Sequence, residues 1–101
     1  MRKKIVVKLN IKAFKAIKDY GLIIDSTGNI WRLPYQSERG KMPILPLKIF
    51  THNKHRAIVV KRKILNLDNL EKKATRCNIS NIYEVEAKKV PENMQKYIIN
   101  N

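Results

Sequence analysis

Residues 41–63, KMPILPLKIFTHNKHRAIVVKRK, hold seven Lys or Arg, two His and no acid. Two apolar runs, 47–51 and 56–60, flank the polar stretch His52-Asn53-Lys54-His55, the pattern of two strands joined by a tight connection. Pairing Thr51 with Arg56 sets Phe50 opposite Ala57, Ile49 opposite Ile58, Lys48 opposite Val59 and Leu47 opposite Val60. Side chains alternate between the two faces of a strand. One face of this expected hairpin is then Leu47, Ile49, Ile58 and Val60, suited to a core. The other carries Lys48, Phe50, Lys61 and Lys63 beside Ala57 and Val59, suited to a polyanion.

Moving outward, residues 22–33 give a second hairpin. Leu22-Ile23-Ile24 and Asn29 to Leu33 flank a turn in which Gly28 supplies a left-handed conformation and Asp25 hydrogen-bonds forward. Ile24 then faces Ile30, Ile23 faces Trp31 and Leu22 faces Arg32. Trp31 and Arg32 point to opposite sides, which assigns Trp31 to packing and Arg32 to a phosphate contact. Residues 34–46, with three of the four prolines and Gly40, read as a connector between the hairpins.

At the N-terminal side, residues 4–9 alternate as a half-buried strand, with Ile5, Val7 and Leu9 on one face and Lys4, Val6 and Lys8 on the other. Asn10 can cap a helix over 11–20 that Gly21 ends. Ile11, Phe14 and Ile17 form one stripe of it, and Lys12, Lys15 and Lys18 a basic one. Beyond the basic hairpin, Asp68 and Glu71 make a capping-box pattern for a helix over 69–77, with Leu70, Ala74 and Cys77 inward and Lys72, Lys73 and Arg76 outward. Residues 79–87 read as a last strand, and Pro91 opens a short terminal helix carrying Met94, Tyr97 and Ile98. The expected fold is therefore α+β: one domain, a small antiparallel sheet of about five strands built from two hairpins, and two or three short helices.

The chain's 101 residues, 44% of them hydrophobic, suffice for one modest core. Net charge is +14, and self-repulsion of that size opposes the compact state unless a polyanion relieves it. The charge is uneven, because residues 1–19 hold seven bases against Asp19 alone and 41–63 hold seven against none. A single cysteine, Cys77, excludes an internal disulfide and fits a reducing compartment. No apolar run approaches the ~20 residues of a membrane span, and Ile5-Val6-Val7 is too short for the apolar region of a signal peptide. A cytoplasmic protein without membrane association is expected.

His52-Asn53-Lys54-His55 invites comparison with HNH nucleases. That site needs its residues on two strands and a helix around one metal, whereas here all fall within one turn and no carboxylate or cysteine is near. Glu84 and Glu86 share a strand face, a pattern open to a shared metal but expected to be a solvated edge. Gly21, Gly28 and Gly40 are isolated and form no phosphate-binding loop. No catalytic residue, metal or cofactor is expected, and the chain reads as a binding protein and not an enzyme.

Ile24 to Leu33, IDSTGNIWRL, followed by Gly40-Lys41 and a basic hairpin, resembles the small modular DNA-binding domains found beside HNH homing endonucleases, often in phages. Gly28, Ile30 and Leu33 match their pattern, and Phe14 or Tyr20 stands for its aromatic opening. Asp25 departs from it, since those modules prefer serine there. The likeness covers about residues 14–65 and implies DNA binding without catalysis. The expected contact residues are Lys12, Lys15, Lys18, Arg32, Lys48, Phe50, Lys54, Arg56, Lys61, Arg62 and Lys63. DNA is the expected partner, with RNA or an acidic surface on a partner enzyme as the alternatives. A base-stacking RNA sheet usually shows several exposed aromatics, and only Phe50 sits on the expected basic face.

Overall fold

The alternation that begins at Val7 does not stop at Leu9. In a computed structural model that describes residues 5–99, it runs on as one strand, β1 (Val6–Ile17), with Leu9, Ile11 and Ala13 buried and Val6, Lys8 and Lys12 exposed. The expected helix over 11–20 is therefore a strand. Its spacing of three arises from a bulge: β1 shifts register between Ala13 and Lys15 against both of its neighbours. The extra residue, Phe14, sends the following side chains to the opposite faces. Only one turn of 3-10 helix, Lys18–Tyr20, remains, and Gly21 at φ 64 ends it as a helix terminator would.

Strands β2 (Leu22–Asp25) and β3 (Ile30–Arg32) pair as Leu22 with Arg32, Ile23 with Trp31 and Ile24 with Ile30, the register read from the turn. Asp25 is fully buried and organises that turn. Its Oδ1 accepts from the Thr27 amide at 2.9 Å, the Asn29 amide at 3.0 Å and the Thr27 hydroxyl, and its Oδ2 accepts from Trp31 Nε1 at 2.7 Å. Burying a carboxylate is costly unless it is hydrogen-bonded, and here both oxygens are. The indole donor has its partner in the core.

The connector 34–46 is more ordered than a loop. Strands β4 (Tyr35–Ser37) and β5 (Gly40–Met42) form a two-stranded ribbon, and β6 (Leu45–Leu47) pairs with β3. Pro46 is tolerated because β6 is an edge strand. Next come β7 (Phe50–His52), β8 (His55–Val60) and β9 (Lys63–Asn66), an antiparallel three-stranded sheet. The helix α1 (Leu67–Lys73) starts two residues earlier than expected. Its cap is Asn66, whose side chain accepts from the Asn69 amide at 3.2 Å, and not Asp68. Strand β10 (Thr75–Glu86) begins at once and takes in Cys77. After it, Glu92–Tyr97 is 3-10 helix, and β11 (Ile98–Ile99) pairs with β1. Lys4, expected to begin the first strand, and residues 100–101, the end of the expected last helix, lie outside the described residues.

The α+β expectation is thereby corrected. The described residues form eleven strands, one seven-residue α-helix and three 3-10 segments, with a six-stranded antiparallel sheet as the frame. Both faces of that frame are covered where β2 and β3 run through it. Leu9, Ile11, Ala13, Ile23 and Trp31 pack with Val85, Val90 and Met94 on one face. Ile17, Leu22, Ile24 and Ile30 pack on the other with Ile58, Val60, Leu67 and Leu70 from the second sheet and α1. That two-sided burial is why residues 22–24 read as an unbroken apolar run and not an alternating one.

Candidate nucleic-acid interface

The β7–β8 register is as the sequence predicts over its short length: Phe50 faces Ala57, Thr51 faces Arg56 and His52 faces His55. The pairing goes no further back. Leu47 belongs to the first sheet opposite Ile30, so Lys48 and Ile49 cross between sheets and do not meet Val59 and Ile58. The other side of β8 is taken by β9, with Ile58 opposite Leu65, Val59 opposite Ile64 and Val60 opposite Lys63. Lys63 thus shares the face of Val60, and Lys61 and Arg62 are turn residues. The single basic face expected from Lys48, Phe50, Lys61 and Lys63 is not formed.

What forms instead is a basic tip at each end of β8. Both hairpins close with two-residue turns, Asn53-Lys54 and Lys61-Arg62. Their φ angles are all positive: 50 and 65 in the first, 50 and 66 in the second. Positive φ at both central residues marks the turn whose twist suits a hairpin, and Gly or Asn normally occupies it. For a residue with a long side chain the left-handed region is strained. Three of these four positions hold Lys or Arg.

Arg56 lies between the tips and is already engaged. Its Nη2 is 2.8 Å from Asp68 Oδ1 and 3.5 Å from Glu71 Oε1, so α1 neutralises it. The hydrogen bond from Arg56 holds the Asp68 carboxyl below its usual range, and the Asp68 contact followed by the Glu71 charge raises the guanidinium above its own. Arg56 is therefore a strut between sheet and helix. Lys12 and Lys15 sit on β1 opposite Ser80 and Arg76, and Lys15 Nζ lies 5.5 Å from the centre of the Phe14 ring. Lys18, in the 3-10 turn, is off that strand stripe. Phe50 is half-buried at the start of β7.

Arg32 is brought to a place that no residue pattern announces. A cleft of about 470 Å³ opens between the first sheet and the β8–β9 turn, lined among others by Asp19, Tyr20, Arg32, Tyr35, Val59 and Lys61. The backbone bond from the Leu33 amide to the Gly21 carbonyl, 2.9 Å, closes the end of the β2–β3 hairpin beside it. The Arg32 guanidinium lies over the Tyr35 ring, 5.0 Å from its centre. Its Nε is buried and has no hydrogen-bond partner among the described residues. Tyr35 lies in the proline-rich stretch 34–46, whose connector pattern carries no sign of it. Among the described residues no three His, Cys, Asp or Glu side chains gather where a metal could be held, and no helix is long and apolar enough to cross a membrane. No protein-family model, curated protein or solved structure matches the chain.

Proposed function

We propose that this chain is a non-catalytic nucleic-acid-binding protein that grips the phosphates of duplex DNA with the two basic tips of its second sheet. The observation that carries the reading is the occupation of left-handed turn positions by Lys54, Lys61 and Arg62. Backbone strain of this kind persists where the surroundings enforce it and clusters at functional positions. A net charge of +14 supports a polyanionic partner. The likeness of residues 24–33 to the hairpin of small DNA-binding modules supports the same reading.

Strand β8 is six residues long, which separates its two tips by roughly 17 Å at about 3.4 Å per residue. That exceeds the ~12 Å width of a major groove, so tips on either side can reach the two flanking backbones. Between them the outer face of the sheet presents Val59, 47% exposed, and Ile64, 50% exposed, apolar groups of the kind that meet thymine methyls.

The test is a salt titration of binding to a fully paired duplex. With Lys54, Lys61, Arg62 and Lys63 on phosphates, log K falls with log salt at a slope of roughly −4. Absence of binding at low salt, or a slope near zero, refutes the proposal.

A further inference from the structure

We infer that the cleft beside the Lys61-Arg62 tip accepts one nucleobase unstacked from its strand, so that the protein prefers DNA with an extruded nucleotide over DNA that is fully paired. The inference rests on the nucleic-acid reading above and adds what the cleft binds.

Size is the first argument. About 470 Å³ is within the range of small-ligand sites and well short of what a duplex needs, so only a nucleotide-sized group enters. Lining chemistry is the second. Tyr20 and Tyr35 supply aromatic surface, and Leu33, Pro34, Leu47 and Val59 supply apolar walls, as a flat base requires. Unpaired bases are commonly held by stacking on aromatic rings and on guanidinium planes. The Arg32 guanidinium, already over the Tyr35 ring, offers both in one plate.

An orphaned donor points the same way. Arg32 Nε is buried without a hydrogen-bond partner among the described residues, although such groups almost always have one. Asp19 lines the same cleft, yet no ion pair joins it to Arg32. No side chain among the described residues accepts a hydrogen bond from the Arg32 guanidinium, so its plane is left to meet a base that enters the cleft. Lys61, which lines the cleft and belongs to the phosphate-gripping tip, ties the two sites together. A backbone held by the tip delivers its own nucleotide to the cleft.

The experiment compares three ligands with the full chain: a paired duplex, the same duplex with one bulged nucleotide, and the same bulge made abasic. The bulged duplex is expected to bind about tenfold more tightly than the abasic one, which has the same phosphates and the same bend but no base to stack. Tyr35→Leu, at a position 45% exposed and hence free to fold, should bring that ratio close to one, and so should Arg32→Lys, which keeps the charge and loses the plate. Equal affinity for the bulged and abasic ligands overturns the inference while leaving the phosphate grip standing. A tenfold ratio that survives both substitutions also overturns it, because the base is then held elsewhere. Failure to bind any of the three at low salt overturns both readings.

Discussion

Replacing Lys54 and Arg62 together by glycine should stabilise the protein and weaken its binding. Each residue occupies the second central position of a two-residue turn, at φ 65 and φ 66, where a left-handed conformation costs a residue with a side chain about 1–2 kcal/mol. Glycine removes that strain but adds roughly 0.5–1 kcal/mol of backbone entropy to the unfolded chain. The net gain is about 0.5–1 kcal/mol per site, so about 1–2 kcal/mol for the pair, the turns being independent at opposite ends of β8. In a domain of this size each kcal/mol raises Tm by about 4–8 °C. Binding moves the other way, since two of the four tip bases are gone and the salt slope should fall from roughly −4 to roughly −2. Thermal melts and salt titrations on the same preparations give both numbers. A double variant that is less stable than the parent refutes the strain argument. One that is more stable but keeps the parent's affinity and slope refutes the assignment of the tips to phosphate.

Asp25→Ala removes the acceptor for the Trp31 indole and for two turn amides. With a charged hydrogen bond worth about 1.5–3 kcal/mol and a partly buried neutral one less, the loss should be about 3–5 kcal/mol in urea unfolding followed by the emission of Trp31, the sole tryptophan; a loss under about 1 kcal/mol would contradict the buried turn. Arg56→Gln should leave the salt slope of DNA binding within a few tenths, since Asp68 and Glu71 already occupy Arg56. The same variant tests the pH dependence. Asp68 has a folded pKa below its unfolded one, so its pairing stabilises fully above about pH 4 and is lost as pH falls through the lower folded value; the destabilisation by Arg56→Gln should therefore shrink in acid, and a gap that stays constant on acidification counts against the pair. Ile58→Ala, at a position with no exposure, should cost about 2–5 kcal/mol in denaturant unfolding, and Ile49→Ala, 38% exposed, under about half of that.

The parts of this fold that the sequence displays are the parts decided locally. The β2–β3 register follows from Gly28 at φ 92 and from Asp25 reaching forward, both within a few residues of the turn. The β7–β8 register follows likewise from the four residues His52 to His55. Errors begin where two local signals imitate something else. A bulge at Phe14 converts a period of two into an apparent period of three, and Gly21 then adds a genuine left-handed terminator. Together they imitate a capped helix over 11–20. Only the pairing of β1 with β10 along most of its length, a contact between residues some seventy positions apart, decides for the strand. Likewise Asp68 looks like a cap until the fold brings Arg56 within 2.8 Å of it.

The candidate site was hidden for a related reason. A two-residue turn of positive φ is announced in sequence by Asn-Gly or Asp-Gly, and Lys61-Arg62 contains neither, so Lys61, Arg62 and Lys63 read as the continuation of a basic strand. The substitution that erases the signal is also what gives the turn its meaning. If the charge served solubility alone, the exposed strand positions would hold it without strain, and Val59 and Ile64, both about half exposed, are such positions left apolar. Near the first tip, the charge of Arg56 is paired with two acids from α1. Three of the five Lys and Arg of the second sheet, Lys54, Lys61 and Arg62, thus stand on left-handed backbone at the two ends of β8, and a fourth, Lys63, adjoins the second turn. Such a distribution matches a ligand whose negative charge runs in two parallel lines with uncharged surface between them, as the backbones bordering a groove of DNA do.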